Sequence, residues 1–370
     1  MDRLELYYLL KLNFTQNIGY VIGRRLLTCF GSAQAVFKAS KSDILSVSQV
    51  GNLVYQSLHK GTDIQIENQI QNEINFIEQN DIHVLSIFDA DYPQHLIHCP
   101  DAPFLIFTRG KIQLKNERVI SIVGTRSLTK YGENFCETFV ESISKYNPVI
   151  VSGLALGTDI LVHKLAVKYN LQTIAILPTG LKNIYPKEHE LFCNEICENG
   201  GLITEFWSDR FAEKENFVKR NRIIAGISMA TVLIESAIKG GSLITTSYAN
   251  DYNREVFALP GRVTDVYSKG CNMLIKKNEA SILNSAEDVI QGLNWDVCLK
   301  PLQGTQTKMF LELTPSEQLI YNFLEERGKT FFDVIATSCM LTSNELSLLL
   351  LDMELNGIIK SLPGKFYDIK

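Results

Sequence analysis

Six short, almost uninterrupted runs of apolar residues between positions 116 and 292 constrain this chain more than any other feature. Helical segments separate these runs, which are VISIV, VIVSG, TIAIL, GLITEF, ATVLIE and EVFAL. Strands that are apolar along their whole length are typical of a parallel sheet covered by helices on both faces. The pattern therefore predicts a doubly wound α/β fold, in which ligands bind beyond the carboxyl ends of the strands.

The region before these runs has a different pattern. Residues 1–65 carry apolar residues at helical spacing, and the stretches NIGYVIGRRLL and SVSQVGNLVYQSL resemble helix-hairpin-helix units. Gln49 stands where such a hairpin usually has glycine, which favours a structural or protein-contact role there over phosphate contact. Residues 66–295 are predicted to form the α/β domain, with 66–115 as a connector clamped onto it.

The C-terminal region begins with a polar linker over residues 296–312 and ends in a small unit over 313–370. Thr314 and Glu317 form a helix-start signal, and two helices, a long apolar helix and a hairpin follow in an order typical of a winged helix. This unit has five Lys or Arg and eight Asp or Glu, and the excess of acid opposes binding to DNA phosphates. We therefore expect it to contact protein.

Composition and charge limit the functions open to the chain. The 370 residues include 36 Lys and Arg and 41 Asp and Glu, so any nucleic-acid site must be a local patch. No apolar run reaches the length of about 20 residues that a membrane helix needs, and Asp2 and Glu5 are atypical of a signal peptide. We expect a cytoplasmic protein that does not enter a membrane and whose eight cysteines are reduced thiols.

The loop after VISIV carries Gly124 and Arg126, and a helix is predicted to begin near Tyr131. Glycine lets a phosphate approach the backbone, a helix N-terminus adds partial positive charge, and arginine can bind two phosphate oxygens at once. These residues predict an anion site. The alternative is a tight strand-to-helix turn in which Arg126 pairs with a carboxylate.

The loop after TIAIL carries Lys182, Tyr185 and Lys187. A cation beside a flat aromatic ring suits single-stranded nucleic acid, because one group binds phosphate and the other stacks on a base. We predict DNA contact by these three residues. The alternative is that the tyrosine packs under the loop.

The densest basic cluster is formed by Lys219, Arg220, Asn221 and Arg222, with Phe217 nearby. We expect this cluster in the first turn of a helix, facing one side and binding phosphate. The alternative is a solvated helix face.

The loop after ATVLIE carries Gly241 and Ser242, and Thr245 follows at the start of the next helix. Glycines and hydroxyls at a helix N-terminus predict a second cradle for phosphate. The alternative is that the glycines only turn the chain.

No catalytic constellation is evident in the sequence. Gly153 and Gly157 have the spacing G-x-x-x-G, which differs from that of a dinucleotide-binding dehydrogenase. Asp159 and His163 lie four residues apart, and such a pair is more often a helix-terminal charge and a buried histidine than a catalytic pair. We predict a protein that is not an enzyme, with no metal and no cofactor.

Eight motifs in this order resemble the DNA-processing protein A (DprA/Smf) family: IVGTR, SGLALGTD, LPTGLKNIYPKEH, ITEF, RNRIIAG, ESAIKGGSLIT, REVFALPG and GCNMLI. The resemblance implies an extended Rossmann-like domain between a helical SAM-like or helix-hairpin-helix domain and a winged helix. It also implies a set of DNA-binding residues, which are Arg126, Lys182, Tyr185, Arg220, Arg222, Gly241 and Ser242.

The function that the resemblance implies is that of a single-stranded DNA-binding recombination mediator. Such a protein protects incoming DNA during natural transformation, loads the RecA recombinase and dimerises through its Rossmann domain. Single-strand-binding protein is a further candidate partner. Two alternatives remain: a sensor that binds a nucleotide in the same pocket, and a nucleotide hydrolase. The hydrolase motif P-G-G-x-G-T-x-x-E is altered here to KGGSLITTS.

Overall fold

All six predicted runs form strands of a single nine-stranded sheet. The structure is a computed structural model, and it describes residues 2–61, 63–113, 115, 118–296, 313–356, 358–362 and 366–369. In chain order the strands are β1 (His83–Ser86), β2 (Leu105–Gly110), β3 (Val119–Val123), β4 (Val149–Ser152), β5 (Thr173–Ile176), β6 (Gly200–Thr204), β7 (Ala230–Leu233), β8 (Glu255–Ala258) and β9 (Ser281–Ile282). Their spatial order is β1-β2-β6-β5-β4-β3-β7-β8-β9.

The sheet is parallel from β6 to β9, and β1 and β2 extend it as an antiparallel hairpin beside β6. The predicted connector therefore contributes two strands. Strand β3 pairs with β4 on one side and with β7 on the other, so the direction of winding reverses between β3 and β7. The loops that follow these two strands diverge and leave a crevice at the carboxyl edge of the sheet.

Helices pack on both faces of the sheet. The described helices of residues 1–299 are α1 (Arg3–Phe14), α2 (Tyr20–Phe30), α3 (Ala33–Lys38), α4 (Lys41–Ser46), α5 (Asn52–His59), α6 (Ile64–Gln79), α7 (Gln94–Ile97), α8 (Lys130–Ser144), α9 (Thr158–Lys168), α10 (Phe192–Glu198), α11 (Lys214–Ile227), α12 (Ser242–Asp251), α13 (Lys269–Lys276) and α14 (Ala286–Gly292). In β3, Val119 and Val123 join one buried cluster while Ile120 and Ile122 join a second cluster. Alternate residues of a strand point to opposite faces. The predicted doubly wound fold is therefore confirmed.

The N-terminal helices share their hydrophobic core with the sheet. Leu10 of α1 and Leu26 of α2 are fully buried in the cluster that also contains Phe107 of β2. Gln49 adopts the left-handed conformation, with φ 63°, and its side-chain oxygen accepts a 2.5 Å hydrogen bond from Arg25. The hairpin thus keeps the turn that glycine usually supplies. A domain boundary at residue 65 stays a prediction.

Residues 300–370 form a second unit. Its elements are α15 (Pro315–Arg327), β10 (Thr330–Phe331), α16 (Phe332–Ser338), α17 (Ser343–Leu355), β11 (Ile359–Leu362) and β12 (Phe366–Ile369). The three strands form an antiparallel sheet in the order β10-β12-β11. Three helices with such a sheet confirm the predicted winged helix. Residues 297–312 of the predicted linker, Lys365 and Lys370 lie outside the described residues.

None of the described helices has the properties of a membrane span when taken singly. No single one combines the length and the apolar composition needed to cross a bilayer, and the bent pair α16 and α17 meets that criterion only when the two are joined.

Candidate nucleic-acid interface

A cavity of about 400 Å³ lies at the carboxyl edge of the sheet, where the winding reverses. The loops after β3, β4, β7 and β8 and one side of α11 surround it. The predicted site residues among its lining are Gly124, Arg126, Arg220, Asn221, Gly241, Ser242 and Thr245. Residues from three separate predicted motifs therefore meet at one pocket.

The loop after β3 is held against the start of α9. Thr158 donates hydrogen bonds from its backbone nitrogen and from its hydroxyl to the carbonyl oxygen of Thr125, at 3.1 and 3.2 Å. Gly157 has φ 78°, and a Cβ atom there would lie 2.4 Å from the same oxygen. A Cβ atom at Gly124 would lie 2.4 Å from the Thr158 hydroxyl. Glycine at both positions allows this close approach of backbone segments.

The second cradle is formed by the N-terminus of α12. Gly241 precedes the helix, and a side chain at this position would meet open space. Asn221 of α11 donates a 3.4 Å hydrogen bond to the carbonyl of Gly241, and Ser242 donates to the Ser236 hydroxyl at 3.0 Å. Thr245 is buried in the first turn. The start of α12 therefore faces the pocket with the partial positive charge that suits an anion.

Arg220 forms the floor of the pocket. Its Nη1 atom donates to the carbonyl oxygens of Gly153 and Ile176, both at 2.6 Å, and Nε donates to Asn221 at 3.1 Å. Burial lowers the pKa of Arg220 to about 10, and the nearby Asp159 carboxylate opposes this shift. The group thus stays protonated at neutral pH. It places a fixed positive charge beneath any bound anion.

Arg126 and two aromatic rings form one rim of the pocket. The guanidinium carbon of Arg126 lies 5.4 Å from the centre of the Phe217 ring, a cation–π distance. Tyr185 meets Phe217 edge to face, with 5.6 Å between ring centres, and is 44% exposed. The tyrosine is therefore accessible rather than a plug beneath the loop. Within the described ranges Arg126 has no ion pair with a carboxylate, so the alternative reading of this loop is not supported.

The three predicted lysines lie on the surface, and none of them lines the cavity itself. Lys182 is exposed three residues before Tyr185, Lys187 begins a short 3₁₀ helix after Pro186, and Lys219 is exposed on α11. In the described part of the chain none of the three has an ion-pair partner. Their charges remain available to an anionic ligand.

Arg222 does not join the pocket. It is buried and pairs with Glu205, and it also donates to the carbonyl of Asp101. The expectation that the basic cluster lies in the first turn of its helix was wrong, because α11 begins at Lys214. Successive helical residues point about 100° apart, so Lys219, Arg220 and Arg222 face different surroundings.

Two residues of the site were missed as site residues in the sequence. In the sequence, Phe217 is only an aromatic neighbour of the basic cluster, and Gly153 belongs to a glycine pair whose spacing differs from that of a dinucleotide-binding motif. The useful signal was the spacing of each: Phe217 precedes the arginine by three residues on a helix, and Gly153 follows a buried strand directly. Asp159, considered only as a catalytic or structural acid, also lines the pocket, and its burial raises its pKa.

The fold and the pocket define a Rossmann-like α/β protein with a candidate anion-binding pocket at its switch point, joined to a winged helix. Residues 83–294 match the family model for DNA recombination-mediator protein A, and residues 311–365 match the model for the DprA winged helix domain. The chain belongs to the DNA-processing protein A (DprA/Smf) family of DNA recombination mediators.

Individual relatives agree with this assignment. Protein Smf of Escherichia coli (strain K12) is 31% identical over 307 residues, which cover 81% of each chain. The X-ray structure of DNA processing protein A from Streptococcus pneumoniae superposes with a TM-score of 0.65 at 30% identity, covering 77% of this chain and 97% of the other. DNA processing protein A from Helicobacter pylori, solved to explain its single-stranded DNA binding mode, has a TM-score of 0.52 at 29% identity, covering 58% and 96%.

Proposed function

We propose that this chain binds single-stranded DNA at the switch-point pocket, protects incoming DNA and loads RecA onto it during natural transformation. The observation that carries the proposal is the meeting of Arg126, Arg220, Phe217 and the start of α12 around one cavity, with Tyr185 beside them. Single-stranded DNA binding by the Helicobacter pylori relative supports it.

Each group has a distinct part in this mechanism. Phosphates are neutralised by four exposed cations, which are Arg126, Lys182, Lys187 and Lys219. Arg220 provides a fixed positive charge beneath the phosphates. Tyr185 stacks on a base, which a duplex does not offer unless it opens. Backbone N–H groups at Gly241 and Ser242 complete the cradle. Preference for single strands follows from the stacking step.

The partners follow from the family. RecA is the recombinase to be loaded, the Rossmann domain is the dimer surface, and single-strand-binding protein is a further partner. Two DNA sites in one dimer would bind a long strand together and gain affinity from their linkage. The proposed function, binding DNA and loading RecA, includes no catalytic step and no cofactor.

The winged helix is assigned to protein contact. The segment Ser343–Leu355 contains no Lys or Arg, while Leu348 and Leu351 on α17 are 67% and 53% exposed. We expect Leu348→Asp and Leu351→Asp to leave the affinity for single-stranded DNA unchanged.

The first experiment is fluorescence anisotropy with labelled single- and double-stranded oligonucleotides of several lengths, at two salt concentrations. The wild type should prefer single strands, bind longer ones more tightly and lose affinity steeply with salt. Arg126→Ala and Lys182→Ala should each flatten the slope of log affinity against log salt by about one unit. Lys145→Ala, an exposed lysine at the opposite edge of the sheet, is the matched control and should leave the slope unchanged.

The cavity volume also suits a mononucleotide, so the same titration tests the sensor hypothesis. A mononucleotide that binds as tightly as the oligonucleotides, with no dependence on length, would replace DNA with a free nucleotide as the ligand. Unchanged slopes for both Arg126→Ala and Lys182→Ala would remove the pocket from the proposal.

RecA loading needs its own readout. We expect the wild type to speed the formation of RecA filaments on DNA coated with single-strand-binding protein, and Lys182→Ala to do so less. Equal rates with and without the wild type would contradict the mediator step while leaving DNA binding intact.

A further inference from the structure

The loop that carries Lys182 is hydrogen-bonded to the segment that follows β6. The Gly180 nitrogen donates to the carbonyl of Arg210 at 2.9 Å, and the Lys182 nitrogen donates to the carbonyl of Ser208 at 3.3 Å. Asn183 adds a side-chain bond to the carbonyl of Asp209 at 2.9 Å. A Cβ atom at Gly180 would lie 1.9 Å from the Trp207 carbonyl oxygen. The two loops therefore form one layer, and the position of Ser208 sets that of Lys182.

This layer is held by the N-terminal helices. Glu73 of α6 accepts hydrogen bonds from the Ser208 nitrogen, at 3.0 and 3.1 Å to its two oxygens, and from the Ser208 hydroxyl at 2.5 Å. Asn13 of α1 accepts a 2.8 Å bond from the Trp207 indole, and the Phe14 ring lies 5.4 Å from that of Trp207. Helices α1 and α6, which lie outside the region that matches the recombination-mediator family model, thus contact the segment after β6 and hold it in place.

Glu73 is an unusual residue for its place. It is only 4% exposed, and its helical neighbours Ile70, Ile74 and Ile77 are buried in the main core. A buried carboxylate costs free energy unless hydrogen bonds compensate for its lost hydration, and burial raises the pKa of Glu73. Its hydrogen bonds among the described residues all come from Ser208. An apolar side chain would pack at this site without the free-energy cost of burying a carboxylate.

We propose that Glu73 is a positioning residue for the DNA site, through which α6 fixes Ser208 and thereby the loop that presents Lys182. This inference rests on the proposed binding of single-stranded DNA. It assigns to the N-terminal helices a role in DNA affinity that needs no contact between those helices and DNA.

The test is a double-mutant cycle read by single-strand affinity and its salt dependence. Glu73→Gln keeps the shape of the side chain but turns one acceptor into a donor that faces the Ser208 N–H and hydroxyl groups. We expect it to weaken binding by about two- to tenfold, the range of one lost hydrogen bond, and to flatten the salt slope as Lys182→Ala does. In a Lys182→Ala background it should have no further effect.

One matched background and one control variant separate positioning from a general loss of structure. In a Lys219→Ala background, where the missing cation lies on α11, Glu73→Gln should cost as much as in the wild type. Glu137→Gln, at an exposed acid that pairs with Lys168 on α8 and α9, should change nothing in DNA binding. Ser208→Ala should give a smaller loss in the same pattern, and Ser208→Thr, which keeps the hydroxyl, should restore binding.

The outcomes are distinct. Wild-type affinity in Glu73→Gln and Ser208→Ala, or equal losses in the Lys182→Ala and wild-type backgrounds, would overturn the positioning role while leaving the DNA site intact. No binding by the wild type would instead contradict the proposed function. If Glu73→Gln does not fold, as judged by thermal unfolding, the variants Ser208→Ala and Ser208→Thr provide the same test.

Discussion

The guanidinium group of Arg220 occupies the space that any side chain at Gly153 would need. Arg220 Nη1 lies 2.6 Å from the Gly153 carbonyl oxygen, and a Cβ atom built on Gly153 would lie only 1.9 Å from the same nitrogen. The buried arginine and the glycine after β4 are therefore a matched pair. The charge at the floor of the pocket depends on the absence of one methyl group.

Gly153→Ala should displace Arg220 and damage both stability and binding. The added methyl group overlaps a buried, hydrogen-bonded group, so we expect the free energy of unfolding to fall by about 2 kcal/mol. Single-strand affinity of the folded protein should fall as well. Denaturant unfolding and anisotropy check these effects. Gly61→Ala, where a Cβ atom meets nothing within 4 Å, is the control and should behave as the wild type.

Phe217→Leu should weaken DNA binding without unfolding the protein. Leucine keeps the apolar bulk but removes the ring that faces Arg126, and an exposed cation–π contact contributes about 0.5–1 kcal/mol. We expect affinity for single strands to fall about two- to fivefold. Phe88→Leu, at an exposed phenylalanine after β1, is the matched control. Equal affinities for the two variants would mean that the ring does not orient Arg126.

Arg222→Gln should act on stability rather than on DNA. The change leaves the Glu205 carboxylate buried without its partner, and breaking a buried ion pair costs about 3 kcal/mol or more. Below the unfolding transition, the salt slope of DNA binding should match that of the wild type. The double variant Arg222→Met with Glu205→Leu should recover much of the stability, because no isolated charge remains. A flattened salt slope for Arg222→Gln would instead show that Arg222 contacts DNA phosphate.

His163 should make the protein sensitive to mild acid. It is fully buried beside Thr173, with 2.7 Å between Nδ1 and the hydroxyl, and burial lowers its pKa from 6.5 to about 3, helped by Arg220 and His189. The folded state then binds fewer protons than the unfolded state between these pH values, so stability falls as the pH drops below 6.5. From pH 7 to pH 5 this contribution is about 2 kcal/mol.

The measurement is the free energy of unfolding as a function of pH for the wild type and for His163→Gln. The variant should lose less stability between pH 7 and pH 5, whatever its stability at neutral pH. Asp159 and the other buried acids are common to both proteins and cancel in the comparison. His98→Gln, at an exposed histidine, should keep the wild-type profile. Parallel profiles for His163→Gln and the wild type would show that His163 is not held neutral.

Much of the site was predictable because it lies where short apolar strands end. Gly124 and Arg126 lie in the loop after β3, Gly241 and Ser242 lie at the end of the loop after β7, and parallel strands bring such loops to the same edge of a sheet. Local order along the chain was enough to place these groups together. The winged helix was predictable for a similar reason, since capping signals such as Thr314 with Glu317 mark its helices.

The sequence by itself determined the kinds of element, their order and the loops that carry charge, because periodicity and capping are local properties of the chain. Tertiary structure alone decided which basic residues face the pocket. Arg220 and Arg222 are two residues apart on α11, yet one lines the cavity and the other is buried against Glu205. The link from Glu73 to Ser208 joins residues 135 positions apart. Such choices depend on which helix face the core buries and on contacts distant in the chain, and neither leaves a local pattern in the sequence.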